Sequence, residues 1–323
     1  MKRRQYKGII GILLGIMVSG LLLLNVLAYQ HAYAFLHFST SSAASGKFDT
    51  TSISGKLALL IQGLSISRPQ SSMNPVSVHP DCRDQIIPIN TQLALGAWYC
   101  AGSSDKLVIM FHGYAMEKSS LINEARALLA AGHAVLLVDF RGSGTSSAAY
   151  TTIGYVEAED VAASVRYVRE HYSYKKIILY GQSMGAAAIF RAVDQLCITP
   201  DALIVESIFD SLFNTVINRF DNLGVPYFPS AFFLVFWGGI QTDFNAFAHN
   251  PVDYARAIAY PVLFLHGEQD NKARLPMTMR VYDAVPVRQK KIVIFPGTGH
   301  ESLYRRHPAQ WQSVVLSFLA EIE

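Results

Sequence analysis

The sequence predicts an α/β fold, a mostly parallel sheet with helices on both faces and a helical cap insertion, preceded by one N-terminal transmembrane helix. Three observations carry that prediction. From residue 83 onward, eight apolar runs of strand length alternate with stretches of helical character. Gly8–Gln30 holds no charged residue and follows a cluster of four cations. The 323 residues are 51% hydrophobic and 16% charged, which supplies enough apolar surface for a core and excludes disorder. Three cysteines exclude a disulfide scaffold, and the sequence has no internal repeats.

Residues 1–7 form a basic tip containing Lys2, Arg3, Arg4 and Lys7; the rest of the chain carries 23 Lys and Arg against 24 Asp and Glu. The folded part therefore lacks the basic excess that a nucleic-acid binder needs, and no nucleic-acid partner is expected. Residues 8–30 read as a membrane anchor, since about 20 residues at about 1.5 Å each reach the roughly 30 Å of a hydrocarbon core. Cations stay on the cytoplasmic side, so the remainder is expected outside the cytoplasm. Asn25 is a polar interruption near the far end of this anchor. Ala32-Tyr33-Ala34 has the form of a signal cleavage site, so secretion after cutting stays open, although the apolar run is longer than an ordinary signal core.

Residues 31–82 read as a juxtamembrane connection rich in Ser, Thr and Pro over 38–80, with one short apolar piece, Lys56–Ile66, of helical character. Residues 83–323 form the α/β domain. Its strands are expected at Gln85–Asn90, Leu93–Tyr99, Lys106–Phe111, Ala134–Phe140, Lys176–Tyr180, Ala202–Glu206, Val262–Leu265 and Lys291–Phe295. Helices are expected at Lys118–Ala131, Tyr155–His171, Met184–Asp194, Pro276–Ala284 and Pro308–Ile322. Helix after strand after helix implies parallel strands covered on both faces. The first two runs flank a short turn at Asn90-Thr91 and read as an antiparallel hairpin on the sheet edge. Residues 207–260 are too long for an ordinary connection and read as a cap over the carboxyl edge of the sheet. Its apolar stretch Phe228–Ile240 is too short to span a bilayer.

Gly181-Gln182-Ser183-Met184-Gly185 lies between an expected strand and an expected helix. A serine on such a sharp turn presents its hydroxyl above the sheet, and Gly181 and Gly185 are needed where a Cβ would collide. The helix start also brings free N–H groups and a positive dipole end, suited to a developing oxyanion. Ser183 is thus a candidate nucleophile, which requires a base. His300, in a Gly-rich loop after the last strand, follows Asp270 in the order Ser, Asp, His. His300 is read as the base, Asp270 as its orienting acid and His266 as a loop-positioning residue. Glu206, ending its strand, is a rival acid, and Asp139 reads as a turn former. Oxyanion donors are expected from the backbone N–H groups of Met184 and Tyr114, the latter in the His112-Gly113-Tyr114 loop.

With HGYAM, DFRGSG, GQSMG, HGEQD and GTGHE in this order, residues 84–321 resemble the α/β-hydrolase superfamily, and within it the membrane-anchored bacterial serine hydrolases akin to serine aminopeptidases and monoglyceride lipases. The resemblance implies an eight-stranded sheet, no cofactor and a catalytic triad of Ser183, Asp270 and His300. The expected activity is cleavage of carboxylic esters, small or lipid-like, through an acyl-enzyme; a peptidase of the same fold and a non-catalytic tethered binding protein are the alternatives.

Cys82 and Cys100 lie equally far from Thr91 in the expected hairpin, so register opposes them, and export permits oxidation to a disulfide. Cys197 is left over. No CxxC, HExxH or clustered ligand spacing is present, so no metal site is expected.

Overall fold

The computed structural model describes residues 2–39, 52, 54–55 and 65–322. The apolar piece expected at Lys56–Ile66 lies, over 56–64, outside the described residues.

Helix α1 runs Lys2–Leu36, and within it Tyr6–Leu36 is long and apolar enough to cross a membrane. It continues six residues beyond the expected span and joins the domain. Ala28, Ala32 and Leu36 are buried, Thr151 N–H donates to Leu36 O at 2.8 Å, and Phe38 N–H donates to Ala149 O at 2.9 Å. Asn25, within this apolar helix, has both polar atoms satisfied: its amide donates to Leu21 O at 2.9 Å and its carbonyl accepts the Trp237 indole at 3.2 Å.

Eight strands form one sheet in the order β1-β2-β4-β3-β5-β6-β7-β8. They are β1 Arg83–Pro88, β2 Ala94–Cys100, β3 Lys106–Phe111, β4 Ala134–Val138, β5 Lys176–Gln182, β6 Ala202–Glu206, β7 Val262–Gly267 and β8 Lys290–Phe295. β1 and β2 are an antiparallel edge hairpin with Arg83 opposite Tyr99 and Pro88 opposite Ala94. β2 meets β4 antiparallel, and every later pairing is parallel. The chain order reverses at β3, which lies between β4 and β5, and the carboxyl ends flanking such a reversal are where open α/β sheets form their crevice.

The helices are α2 Ile122–Ala130, α3 Glu157–His171, α4 Met184–Leu196, α5 Leu212–Leu223, α6 Ser230–Thr242, α7 Pro251–Tyr254, α8 Leu275–Ala284, α9 Leu303–Arg306 and α10 Pro308–Ala320. One face of the sheet packs on α3, α4 and α8 through Val161, Val168, Ala188, Phe190 and Val281. The other packs on α2 and α10 through Leu128, Trp311 and Val315. Near-continuous burial on both faces explains why β3 to β7 read as apolar runs rather than alternating ones.

The helix expected at Lys118–Ala131 is split: Lys118–Leu121 is a 3-10 turn before α2. Asp139 draws that turn inward by accepting Lys118 N at 2.8 Å and Lys118 Nζ at 2.5 Å, while it also accepts Thr145 N at 2.8 Å. The acid thus builds the DFRGSG turn and anchors a buried lysine.

After β6, α5 lies against the loop that follows β7. Asn218 Nδ2 donates to Lys272 O at 3.0 Å and Asn222 Nδ2 to Asn271 O at 2.9 Å. α6 packs on α5 through Ala231, Val235, Leu212 and Val216. Its next face meets α1, with Trp237 edge-on to Tyr29 and Gln241 Nε2 donating to Tyr29 O at 2.9 Å.

Candidate active site

The chain leaves β5 at Gln182 and enters α4 at Met184, so Ser183 alone makes the turn, with φ 51° and ψ −108°. A non-glycine residue there is held by its surroundings at a cost of order 1–3 kcal/mol. Its own N–H donates to Glu206 O at 2.8 Å. A Cβ on Gly181 would stand 2.6 Å from Ala186 N, and one on Gly185 would stand 2.5 Å from Phe111 O, so both flanks must be glycine. Met184 is the first residue of α4, where the N–H has no intrahelical acceptor.

Across the β3–β5 junction, His112 is fully buried. Its Nδ1–H donates to Gly113 O at 2.8 Å, and its Nε2 accepts from Phe140 N at 3.1 Å, which together define a neutral ring with the proton on Nδ1. Burial, the largest influence, keeps its pKa below the ordinary imidazole range against the pull of Asp139 and the Gly113 carbonyl. In a trans peptide C=O and N–H point opposite ways, so pinning the Gly113 carbonyl aims the Tyr114 N–H away from His112. That N–H meets no acceptor among the described residues. A Cβ on Gly113 would stand 3.8 Å from Ser183 Cβ, so the loop passes directly over the elbow.

The Tyr114 side chain reads in sequence as a pocket lining. In the structure its hydroxyl donates to Phe35 O at 2.7 Å, so the last turn of α1 rests on the same loop. The Arg219 guanidinium lies 5.4 Å from the Tyr114 ring centre and 5.8 Å from that of Phe35, and no carboxylate pairs with it among the described residues.

Asp270 and His300 are joined, Nδ1 to Oδ2, at 2.7 Å. Asp270 also accepts Lys272 N at 2.9 Å and Ala273 N at 3.0 Å through its other oxygen. Burial pushes the Asp270 carboxyl up, but the His300 bond and charge, the Lys272 N–H and nearby His266 outweigh it and hold the pKa below the usual carboxylate range. A carboxylate fixed in its charged form keeps the imidazole proton on Nδ1. That leaves Nε2 free of any bond among the described residues and able to take a proton. No hydrogen bond joins Ser183 to His300 among the described residues. They stand with Asp270 at the carboxyl ends of β5, β8 and β7, along one edge of the sheet.

Glu206, the rival acid, is occupied elsewhere. It accepts from Tyr180 Oη at 2.5 Å, Gln182 Nε2 at 2.9 Å and Leu303 N at 3.2 Å, and it is fully buried. Burial foremost, and then Glu124, pushes its pKa up to about 7 against those hydrogen bonds. Glu124 accepts from Ser302 Oγ at 2.6 Å, so two buried acids grip the segment just after His300. His266 Nδ1 meets Thr278 Oγ1 at 3.0 Å, tying the end of β7 to α8. The positioning role of His112 was not visible in the sequence, because a peptide orientation set by a neighbouring ring leaves no spacing signal.

Cys82 and Cys100 form a disulfide, and Cys197 is free and exposed. The register that opposes Arg83 to Tyr99 continues one step to oppose the two half-cystines. Among the described residues no group of three or more His, Cys, Asp or Glu side chains is arranged to hold a metal ion.

Residues 106–203, which contain β3, the Gly113 loop and the Ser183 elbow, match the family model described as the alpha/beta hydrolase fold. The chain has the alpha/beta hydrolase fold. It is 28% identical over 235 residues to an uncharacterized protein of Mycobacterium tuberculosis, covering 69% of this chain and 74% of that one. It is 25% identical over 186 residues to the lysophosphatidylserine lipase ABHD12 of Danio rerio, covering 56% and 47% of the two chains. Among solved structures, the esterase Pf2001 of Pyrococcus furiosus superposes with a TM-score of 0.67 at 23% identity, over 80% of this chain and 99% of the esterase.

Proposed function

We propose that this alpha/beta hydrolase is a serine hydrolase that cleaves carboxylic esters, lipid-like ones included, through an acyl-enzyme. The observation that carries the reading is the Ser183 elbow, φ 51° at a strand-to-helix turn, on the same sheet edge as a histidine whose Nδ1 is held 2.7 Å from a buried carboxylate. In this scheme Ser183 Oγ attacks the carbonyl carbon while His300 Nε2 takes the hydroxyl proton, and Asp270 stabilises the imidazolium. The carbonyl oxygen becomes an oxyanion received by the Tyr114 and Met184 N–H groups. His300 then gives its proton to the departing alkoxide. Water, deprotonated by the same nitrogen, attacks the acyl carbon and frees Ser183 with a carboxylic acid as product.

Lipid-like esters are favoured because the relatives include a lysophosphatidylserine lipase and because the N-terminal helix brings the domain to a membrane. We read α1 as a retained single-pass anchor with its basic tip in the cytoplasm and residues 31–82 as the connection to an extracytoplasmic domain, 83–323, capped by 207–260. The cation cluster and the Cys82–Cys100 disulfide, which suits an oxidising compartment, support this orientation. The contacts of α1 with α6 and Thr151 support retention over cleavage after Ala34. The test is a series of p-nitrophenyl esters of rising acyl length beside aminoacyl anilides, with the intact chain in detergent and Ser183→Ala as the control. Ester turnover lost in S183A supports the reading; anilide turnover without ester turnover moves it to peptidase, and no S183A-sensitive turnover of either defeats it.

A further inference from the structure

One face of the cap helix α6 is left largely open: Phe232 touches Phe247 of the cap, but neither the cap core nor α1 covers the rest. Phe228, just before the helix, and Phe232, Phe236 and Ile240 within it recur every four residues and so line one stripe. They are 77%, 45%, 41% and 60% exposed, far more than a water-facing helix of a soluble domain usually tolerates in large apolar side chains. No charged residue occurs from Pro226 to Thr242. The nearest charges in sequence are Arg219 and Asp221 on α5 and Asp243 closing α6.

Where α6 meets α1 fixes its level. The hydrocarbon core consumes about 20 residues of helix, so a span starting after Lys7 reaches the far boundary near Ala28. The contacts of α6 straddle that boundary: Trp237 bonds Asn25, Gln241 bonds Tyr29 O, and a Cβ on Gly238 would stand 3.8 Å from Leu36 Cδ1. Ala28 and Ala32 on α1 and Gly238 on α6 are small, as at the contact of helices that approach closely in lipid. Trp237, Tyr29 and Tyr33 fall together at this level, where amphipathic rings gather at a membrane interface. The uncovered stripe of α6 is therefore continuous with the exposed apolar surface of α1.

We infer that α6 lies in the bilayer leaflet nearer the domain, with Phe228, Phe232, Phe236 and Ile240 immersed in acyl chains beside α1. The anchor and the cap then form one membrane-inserted unit that sets the hydrolase domain face-down on the lipid. Side chains of a helix at the headgroup boundary reach about 5–10 Å into the lipid, and α6 carries no charged group that such burial would desolvate. This inference rests on α1 being a span, not on the ester chemistry. The experiment keeps the two apart.

The full chain carrying C197S, to remove the exposed thiol, receives a nitroxide label at F232C or F236C and is assembled into phosphatidylcholine nanodiscs. A label at L22C marks the span, and one at K175C, before the amino end of β5, marks water. Power saturation with oxygen and with a nickel chelate then reports the surroundings of each label. The expected result is loss of nickel accessibility at 232 and 236, with oxygen collisions as frequent as at 22. Nickel accessibility at 232 and 236 equal to that at 175 overturns the inference, as does shielding from both reagents, which would mean a protein partner covers the stripe. A water-accessible label at 22 overturns the span and the inference together. Fluorophosphonate reactivity of the same samples reports the hydrolase reading separately.

Discussion

His112 offers a sharp test of how the oxyanion donor is aimed. Replacing it by leucine keeps apolar bulk but removes both ring contacts, the 2.8 Å bond to Gly113 O and the 3.1 Å bond from Phe140 N. Two buried backbone groups then lose their partners, at about 1–3 kcal/mol each, so H112L should be less stable by about 2–6 kcal/mol. The Gly113–Tyr114 peptide is also free to rotate. Complete loss of one oxyanion donor costs about 3–4 kcal/mol of transition-state stabilisation, and a misaimed donor should cost part of that, so kcat should fall by about 10- to 100-fold. KM should change little, because the oxyanion exists only after attack. Steady-state hydrolysis of a soluble p-nitrophenyl ester, at a temperature where circular dichroism shows H112L folded, measures both constants. A folded H112L with kcat within twofold of the parent would refute the argument and leave His112 a structural residue only.

Other substitutions probe separate parts of the site and fold. Asp270→Asn should lower kcat by roughly 10³- to 10⁴-fold, because an amide no longer selects the Nδ1–H tautomer, and its stability should change far less than its activity. Glu206 binds its proton in the folded state up to a pH of about 7, whereas the unfolded chain releases it near the ordinary value of 4.5. Its contribution to stability is therefore full at low pH and declines as pH rises through that window. Glu206→Gln should remove this dependence, so urea titrations of the parent and E206Q should diverge in favour of E206Q by on the order of 3 kcal/mol between pH 4.5 and 7; parallel curves would contradict the assignment. Cys82 and Cys100 close a loop of sequence separation 18, worth about 3 kcal/mol of unfolded-chain entropy. The paired serine variant should lose about that much stability in urea titration without a change in kcat.

Much of the architecture is local and was readable. The β3 and β6 runs, Lys106–Phe111 and Ala202–Glu206, form with the expected ends because both faces of each strand are buried, so each reads as a near-continuous apolar run. β5 and β7 run two residues further than hydropathy indicates, through Gly181-Gln182 and His266-Gly267. There the pairings of Gln182 with Glu206 and Gly267 with Phe295 hold polar or small residues in the ladder. The elbow was legible because steric demand at Gly181 and Gly185 writes itself into residue type. The turn at Lys118–Leu121 was not, since helical spacing carries no trace of the Asp139 carboxylate that bends it. Nor was the partnership of α6 with α1. An apolar face appears the same in sequence whether a sheet, another helix or lipid covers it, and Trp237 and Asn25 are more than two hundred positions apart.

The most direct measurement is covalent. The detergent-solubilised chain is treated with a fluorophosphonate, digested, and the site of modification mapped by mass spectrometry. A single adduct on Ser183, absent when the protein is heat-denatured first and slowed at least 10²-fold by His300→Ala, is the result the hydrolase reading requires. An intact, folded chain that takes up no reagent, or takes it up equally after His300 is replaced, would contradict it.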